Sequence, residues 1–109
     1  MLKKVNRLAK SKDIQTAFAR GRTFFNPLFT VKFVPSEGNR RFAVVVSTKV
    51  FKNAVDRNRL KRLIREYLRL NLKGFKAGSY AIVAKPKLNK MPETEVLKEF
   101  KQLCAKLLL

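Results

Sequence analysis

The stretch Val44–Arg69, VVVSTKVFKNAVDRNRLKRLIREYLR, changes period once, and that change decides the fold. Its first residues close an apolar run. Phe42, Val44, Val45 and Val46 make Arg41 to Ser47 a β-strand, apolar on both faces and therefore expected at the centre of a sheet. From Asn53 onward the period becomes 3.6. Leu60, Leu63, Ile64, Tyr67 and Leu68 recur at i, i+3, i+4, i+7 and i+8, the stripe of a helix laid on a core. Asn53 is suited to cap that helix, and Asp56 lies near its exposed N–H groups. The helix is expected over Asn53 to Leu72.

Upstream, Phe29, Val31 and Phe33 alternate with Thr30, Lys32 and Val34, which reads as another strand. Pro27 breaks or edges it, since proline donates no ladder hydrogen bond. The cluster Pro35-Ser36-Glu37-Gly38-Asn39 lies between the two strands and predicts a hairpin. Further upstream, Ser11 and Asp13 suit a helix start, Ile14, Ala17 and Phe18 share one face, and Gly21 suits the stop. Residues 1–10 form a basic arm with Leu2, Val5 and Leu8 as anchors.

Downstream, Gly74 and Gly78 bracket a loop. Ser79 to Lys85 is a third strand, ended by Pro86. A last helix is expected from Pro92, with Val96, Leu97, Phe100, Leu103, Cys104, Leu107 and Leu108 at helical spacing. The order α-β-β-α-β-α predicts a single α/β two-layer domain over residues 1–109, with a mixed central sheet of about four strands and three helices.

Twenty-six Lys and Arg against seven Asp and Glu give this 109-residue chain a formal charge of +19. A folded domain so charged repels itself, and a polyanion relieves the repulsion. Nucleic acid is the first candidate partner and an acidic membrane surface the second. The chain has no His, so it lacks the usual general base and the commonest metal ligand. Its one cysteine, Cys104, falls on an apolar stripe, cannot form an internal disulfide, and fits a buried thiol in a reducing cytoplasm. The first residues, MLKKVNRLAK, are followed by no apolar run, so no signal peptide is expected. No stretch approaches 18 uncharged apolar residues, so no membrane span is expected.

On a helical wheel, Asn58, Lys61, Arg62, Arg65 and Arg69 fall within roughly 100° opposite the leucine stripe, flanked by Arg57 and Arg59. From Lys49 to Arg69 there are eight cations (with Lys49 and Lys52 in the turn) against Asp56 and Glu66. A charged face is ordinarily only solvated, but such a face interleaves Glu with Lys. This one stacks like charges, and arginine dominates. Its planar fork grips phosphate oxygens and stacks on bases, while Asn58 suits a base edge or a 2′-hydroxyl. The acids Glu93, Glu95 and Glu99 make the last helix the least suited to RNA.

The same stretch resembles the signature of the bacterial ribonuclease P protein component. The core of the resemblance is Lys52-Asn53-Ala54-Val55, Arg57-Asn58-Arg59, Lys61-Arg62 and Arg65-Glu66. Asn6-Arg7-Leu8, Ser11-x-Asp13-Ile14 and Phe18 extend it to the start, and Tyr80 to Pro86 extend it downstream. Thr48 and Phe51 depart from the pattern, standing where a lysine and a glycine are expected.

That resemblance implies the small protein subunit of a ribonucleoprotein that removes the 5′ leader from precursor tRNA. Catalysis then belongs to the RNA subunit, whose Mg²⁺ the holoenzyme requires; the protein itself carries no cofactor, metal or catalytic residue. The RNA-binding positions carried over are Lys52, Arg57, Asn58, Arg59, Lys61, Arg62, Arg65 and Arg69. A leader cleft between the sheet, the first helix and the start of the long helix would use Phe18, Phe33, Lys49 and Lys52, since a single strand takes aromatic platforms and cations. Lys3, Lys4, Arg7, Lys10 and Lys12 either touch RNA or solubilise the arm. The resemblance also implies a left-handed β-α-β crossover, against the usual hand. The alternatives are a structural RNA-binding protein such as a ribosomal protein, and a DNA-binding module with the long helix in a major groove.

Overall fold

The structure, a computed structural model, describes residues 4–7, 14–15 and 19–107. Four strands form one sheet: β1 (Arg22–Phe25), β2 (Phe29–Pro35), β3 (Arg40–Val45) and β4 (Gly78–Ala84). Two helices are described in full, α1 (Ala54–Leu70) and α2 (Glu93–Cys104), with short 3₁₀ turns at Lys4–Asn6, Leu72–Gly74 and Pro86–Lys90. Of the helix expected after Ser11, Ile14, Gln15, Ala19 and Arg20 are described and are helical. The remainder of that stretch, Phe18 included, lies outside the described residues, as do Leu2 and Leu8.

The sheet is mixed, in the order β1-β2-β4-β3. β4 runs antiparallel to β2 and parallel to β3. The expected hairpin across residues 35–39 is therefore not formed, because β2 and β3 lie on either side of β4. Those residues link two strands held apart by one that arrives some forty positions later. β4 takes the centre because it is buried on both faces, with Tyr80, Ala81, Ile82 and Ala84 all covered. β3, expected at the centre, is instead the outer strand of the ladder. Its apolar residues are covered all the same: Phe42 and Val44 enter the core and Ala43 is buried on the opposite face. Its outer edge meets the N-terminal arm, where Arg7 bridges in parallel to Phe42 and the Asn6 side-chain amide donates to the Arg40 carbonyl at 2.8 Å.

The hairpin that does form joins β1 to β2 through Asn26-Pro27-Leu28. Asn26 Oδ1 accepts from the Leu28 and Phe29 amides at 2.9 and 2.8 Å, and its Nδ2 donates to the Glu99 carbonyl of α2 at 3.0 Å. Short polar side chains make such turns by bonding backbone nearby. Gly78 opens β4 at φ +154°, where a Cβ would collide with the Val34 carbonyl and the Phe33 ring.

One apolar core lies between the sheet and the two helices. α1 contributes Leu60, Ile64 and Leu68, and α2 contributes Val96, Phe100, Leu103 and Cys104. Leu63 and Tyr67 are half-buried at the edge of the same stripe. The Phe100 ring stands 5.1 Å from Phe29 and 5.6 Å from Tyr67, clamping the two helices to the sheet. Tyr80 stacks between Phe33 at 4.5 Å and Phe42 at 4.8 Å, and its hydroxyl donates to the Lys76 carbonyl at 2.5 Å. Offset and tilted rings of this kind add stability beyond the area they bury. Burial pushes the Tyr80 hydroxyl and the Cys104 thiol each up to about 12.

Candidate nucleic-acid interface

With Ile64 and Leu68 fully buried, the helical repeat turns the polar sector of α1 to solvent. Asn58, Arg59, Arg62 and Arg69 are exposed, and Arg57, Lys61 and Arg65 are half-buried. Lys49 and Lys52 are exposed on the turn before the helix. Three of these cations are engaged within the protein. Arg59 Nε donates to Glu93 Oε2 at 2.9 Å, tying α1 to the first residue of α2. Arg69 pairs with Glu66 one turn back at 2.5 Å. Arg57 Nη1 donates to the carbonyls of Phe51 at 2.9 Å and Lys52 at 2.7 Å. Among the described residues, nothing pairs with the side chains of Lys52, Asn58, Lys61 and Arg62.

The electrostatics follow from this geometry. The bond from Arg59 raises its own pKa, and the bond from Arg69 holds the Glu66 carboxyl below its usual range. Arg65 is shifted the other way. Partial burial lowers its pKa, and the positive charge of Arg7 lowers it further. Arg7 is held at the β3 edge by its bridge to Phe42. The arm and the helix thus bring two guanidiniums near one another. Arg7, carried by the stretch Asn6-Arg7-Leu8, therefore lies close to the cationic face of α1. Lys3, Lys10 and Lys12 lie outside the described residues.

The expected leader residues divide. Lys49 and Lys52 are exposed. Phe33 is 6% exposed and stacked on Tyr80, so it packs the core and offers no ring face to a base. Strand alternation places it on the helix-covered side of the sheet, and its neighbour Lys32 on the other. Lys32, which donates to the Thr23 hydroxyl, and Arg41 lie on that second side, and alternation alone does not say which face the helices cover. Phe51, where a glycine is expected, is tolerated for a plain reason. No non-glycine residue among those described has a positive φ, so the turn demands no glycine. Phe51 instead lines a cleft whose apolar floor includes Leu60, Leu88 and Met91 and whose rim carries Asp56, Arg59 and Glu93.

Among the described residues no three His, Cys, Asp or Glu side chains gather closely enough to hold a metal ion, and no helix is long and apolar enough to cross a membrane. The family model for ribonuclease P matches residues 2–108. The chain belongs to the ribonuclease P protein family. It is 38% identical over 108 residues to the ribonuclease P protein component of Syntrophus aciditrophicus, covering 96% of this chain and 89% of that one. To the ribonuclease P protein component of an Exiguobacterium species it is 35% identical over 103 residues, covering 94% and 90%. Its fold is similar to that of the Staphylococcus aureus RNase P protein, with a TM-score of 0.88 at 25% identity over 97% of this chain and all of the other. The Thermotoga maritima RNase P protein, solved with 1-(4-fluorophenyl)-2-thiourea, matches with a TM-score of 0.76 at 28% identity, covering 89% and 96%. The chain is thus a subunit of ribonuclease P, a ribonucleoprotein of tRNA processing, and its partner is RNA.

Proposed function

We propose that the outward face of α1 grips the catalytic RNA of ribonuclease P while the turn before it and the cationic rim of the sheet face opposite α1 and α2 carry the 5′ leader of precursor tRNA. The observation that carries this reading is the run of Lys52, Lys61 and Arg62, which have no carboxylate partners among the described residues, with Asn58 and Arg65 beside them on the same face. A polyanion offsets the repulsion in such a patch, and arginine forks suit phosphate oxygens. Arg57, Arg59 and Arg69 stand at its margins, and the whole chain acts as one RNA-binding domain with residues 1–10 as a basic arm.

The leader is a single strand, so a line of surface cations suits it better than base-edge readout. Lys49 and Lys52 line the turn, and Lys32 and Arg41 continue the path over the sheet face opposite α1 and α2. Hydrolysis is assigned to the RNA subunit, with Mg²⁺ held by that RNA. What this chain's residues do is bind, orient and screen charge between two polyanions. The working compartment is the cytoplasm. The β3–α1–β4 unit is taken as left-handed, a reading supported by the likeness to solved ribonuclease P proteins.

The test adds this protein to ribonuclease P RNA at low Mg²⁺ and measures leader removal from precursor tRNA. Cleavage should appear only with the RNA present, and the protein should increase it. Specific cleavage by the protein alone would place the chemistry in the wrong subunit, and no stimulation would refute the assisting role.

A further inference from the structure

Arg57 differs from its neighbours in what its guanidinium touches. Both bonds of Nη1 go to backbone carbonyls of the preceding turn, Phe51 at 2.9 Å and Lys52 at 2.7 Å. That turn is otherwise held mainly from its other end. The Val50 and Phe51 amides donate to the Ser47 carbonyl at 3.1 and 3.3 Å, and the Lys49 amide to Ser47 Oγ at 3.3 Å. Between Phe51 and the helix the usual fastening is missing. Asn53 sits at the N-cap position, but its side chain makes no capping bond. An uncapped helix start leaves the entering chain less constrained. Arg57 supplies the constraint from one turn inside the helix, and its bonds are charge-assisted.

We infer that Arg57 is a positioning residue, which fixes the Phe51–Lys52 backbone so that the exposed Lys52 side chain meets RNA in register with α1. The inference rests on the functional reading above and refines it: Arg57 acts mainly through Lys52 and not as one more phosphate contact. The buried Val50 and half-buried Phe51 anchor the turn to the core on one side, and the arginine closes it on the other. A lysine whose backbone is held loses less freedom when its ammonium finds a phosphate.

The test is a pair of double-mutant cycles on binding to ribonuclease P RNA. Arg57→Ala and Lys52→Ala should each weaken binding about five- to tenfold, and the double variant should be no more than about twofold weaker than the worse single. The control cycle of Arg57→Ala with Arg62→Ala should be additive. Additive losses with Lys52, or the same coupling to Arg62 as to Lys52, would overturn the inference. Amide exchange of the RNA-free protein gives a second measurement. Arg57→Ala should speed exchange of the Val50 and Phe51 amides about tenfold, and Arg57→Gln, uncharged but still an N–H donor, should restore part of the protection. Unchanged exchange would also overturn it. If the unaltered protein failed to bind the RNA, the functional reading would fall while the exchange result still decided the clamp.

Discussion

Glu93 holds the guanidinium of Arg59 at 2.9 Å, so the first residue of α2 reaches into the cationic outward face of α1. Both side chains are largely exposed, and such pairs contribute little to folding. Their effect is on the interface, where a carboxylate competes with phosphate for one arginine. Glu93→Gln should therefore tighten binding to ribonuclease P RNA about two- to fivefold at low salt, with little change in melting temperature. Filter-binding titrations and thermal melts check this. Weaker binding would mean that Glu93 holds Arg59 in its RNA-bound pose.

Arg62 and Arg65 lie one turn apart on the outward face of α1, and Arg65 is pressed by the charge of Arg7. Removing both guanidiniums should weaken assembly with the RNA by about tenfold or more at physiological salt. Unfolding should barely shift, since neither side chain fills the core. The double variant Arg62→Ala/Arg65→Ala, compared by RNA titration and thermal melt, tests this. A large fall in melting temperature would make these side chains structural.

Phe33 is stacked on Tyr80 within the core, with Tyr80 in turn stacked on Phe42. Phe33→Ala should cost about 3–5 kcal/mol, the usual penalty for emptying a buried aromatic site. Urea unfolding measures it. At temperatures where the variant is folded, its affinity for precursor tRNA should not depend on leader length any differently from the parent's. A selective loss of leader affinity in a fully stable variant would return Phe33 to the cleft.

The alkaline limit of stability follows from Cys104 and Tyr80. Each is buried, and burial raises each to about 12 from ordinary values of 9.0 and 10.0. A group whose folded pKa is raised releases its proton more readily when unfolded. Its contribution is fully present below the unfolded value and is lost as pH rises through the folded one. Stability should therefore decline from about pH 9 and more steeply above about pH 10, towards 12. Denaturant melts of the parent and of Cys104→Ala show the thiol's share, the variant losing the earlier part of the decline. The same burial predicts slow alkylation of Cys104 at neutral pH, at a rate set by unfolding.

The elements with strong periodicity were legible, whereas β1, four residues before Asn26-Pro27, has too short an alternation to be assigned and adds a strand to the expected order. Leu60, Ile64 and Leu68 mark α1, Val96, Phe100 and Leu103 mark α2, and the boundaries of α1 and β4 lie within two residues of expectation. Strand order was not legible. The residues 35–39 have the composition of a hairpin turn, and nothing local announces that β4 will enter between β2 and β3. That outcome is decided by burial on both faces of β4, a non-local property. The cationic, outward face of α1 was readable because a wheel needs only the helix. Phe33 was misplaced because an alternating strand looks the same whichever side the helices cover. Arg57 was assigned by type as a cation, and only its bonds to Phe51 and Lys52 show its other task.

The most direct test of the central claim, that an arginine-lined face of α1 grips the RNA backbone, is the salt dependence of binding to ribonuclease P RNA. With about six phosphates neutralised, log K should fall against log salt with a slope of about −4, and Arg62→Ala/Arg65→Ala should make that slope shallower. A slope of about −1, or one that the double variant leaves unchanged, would contradict the account.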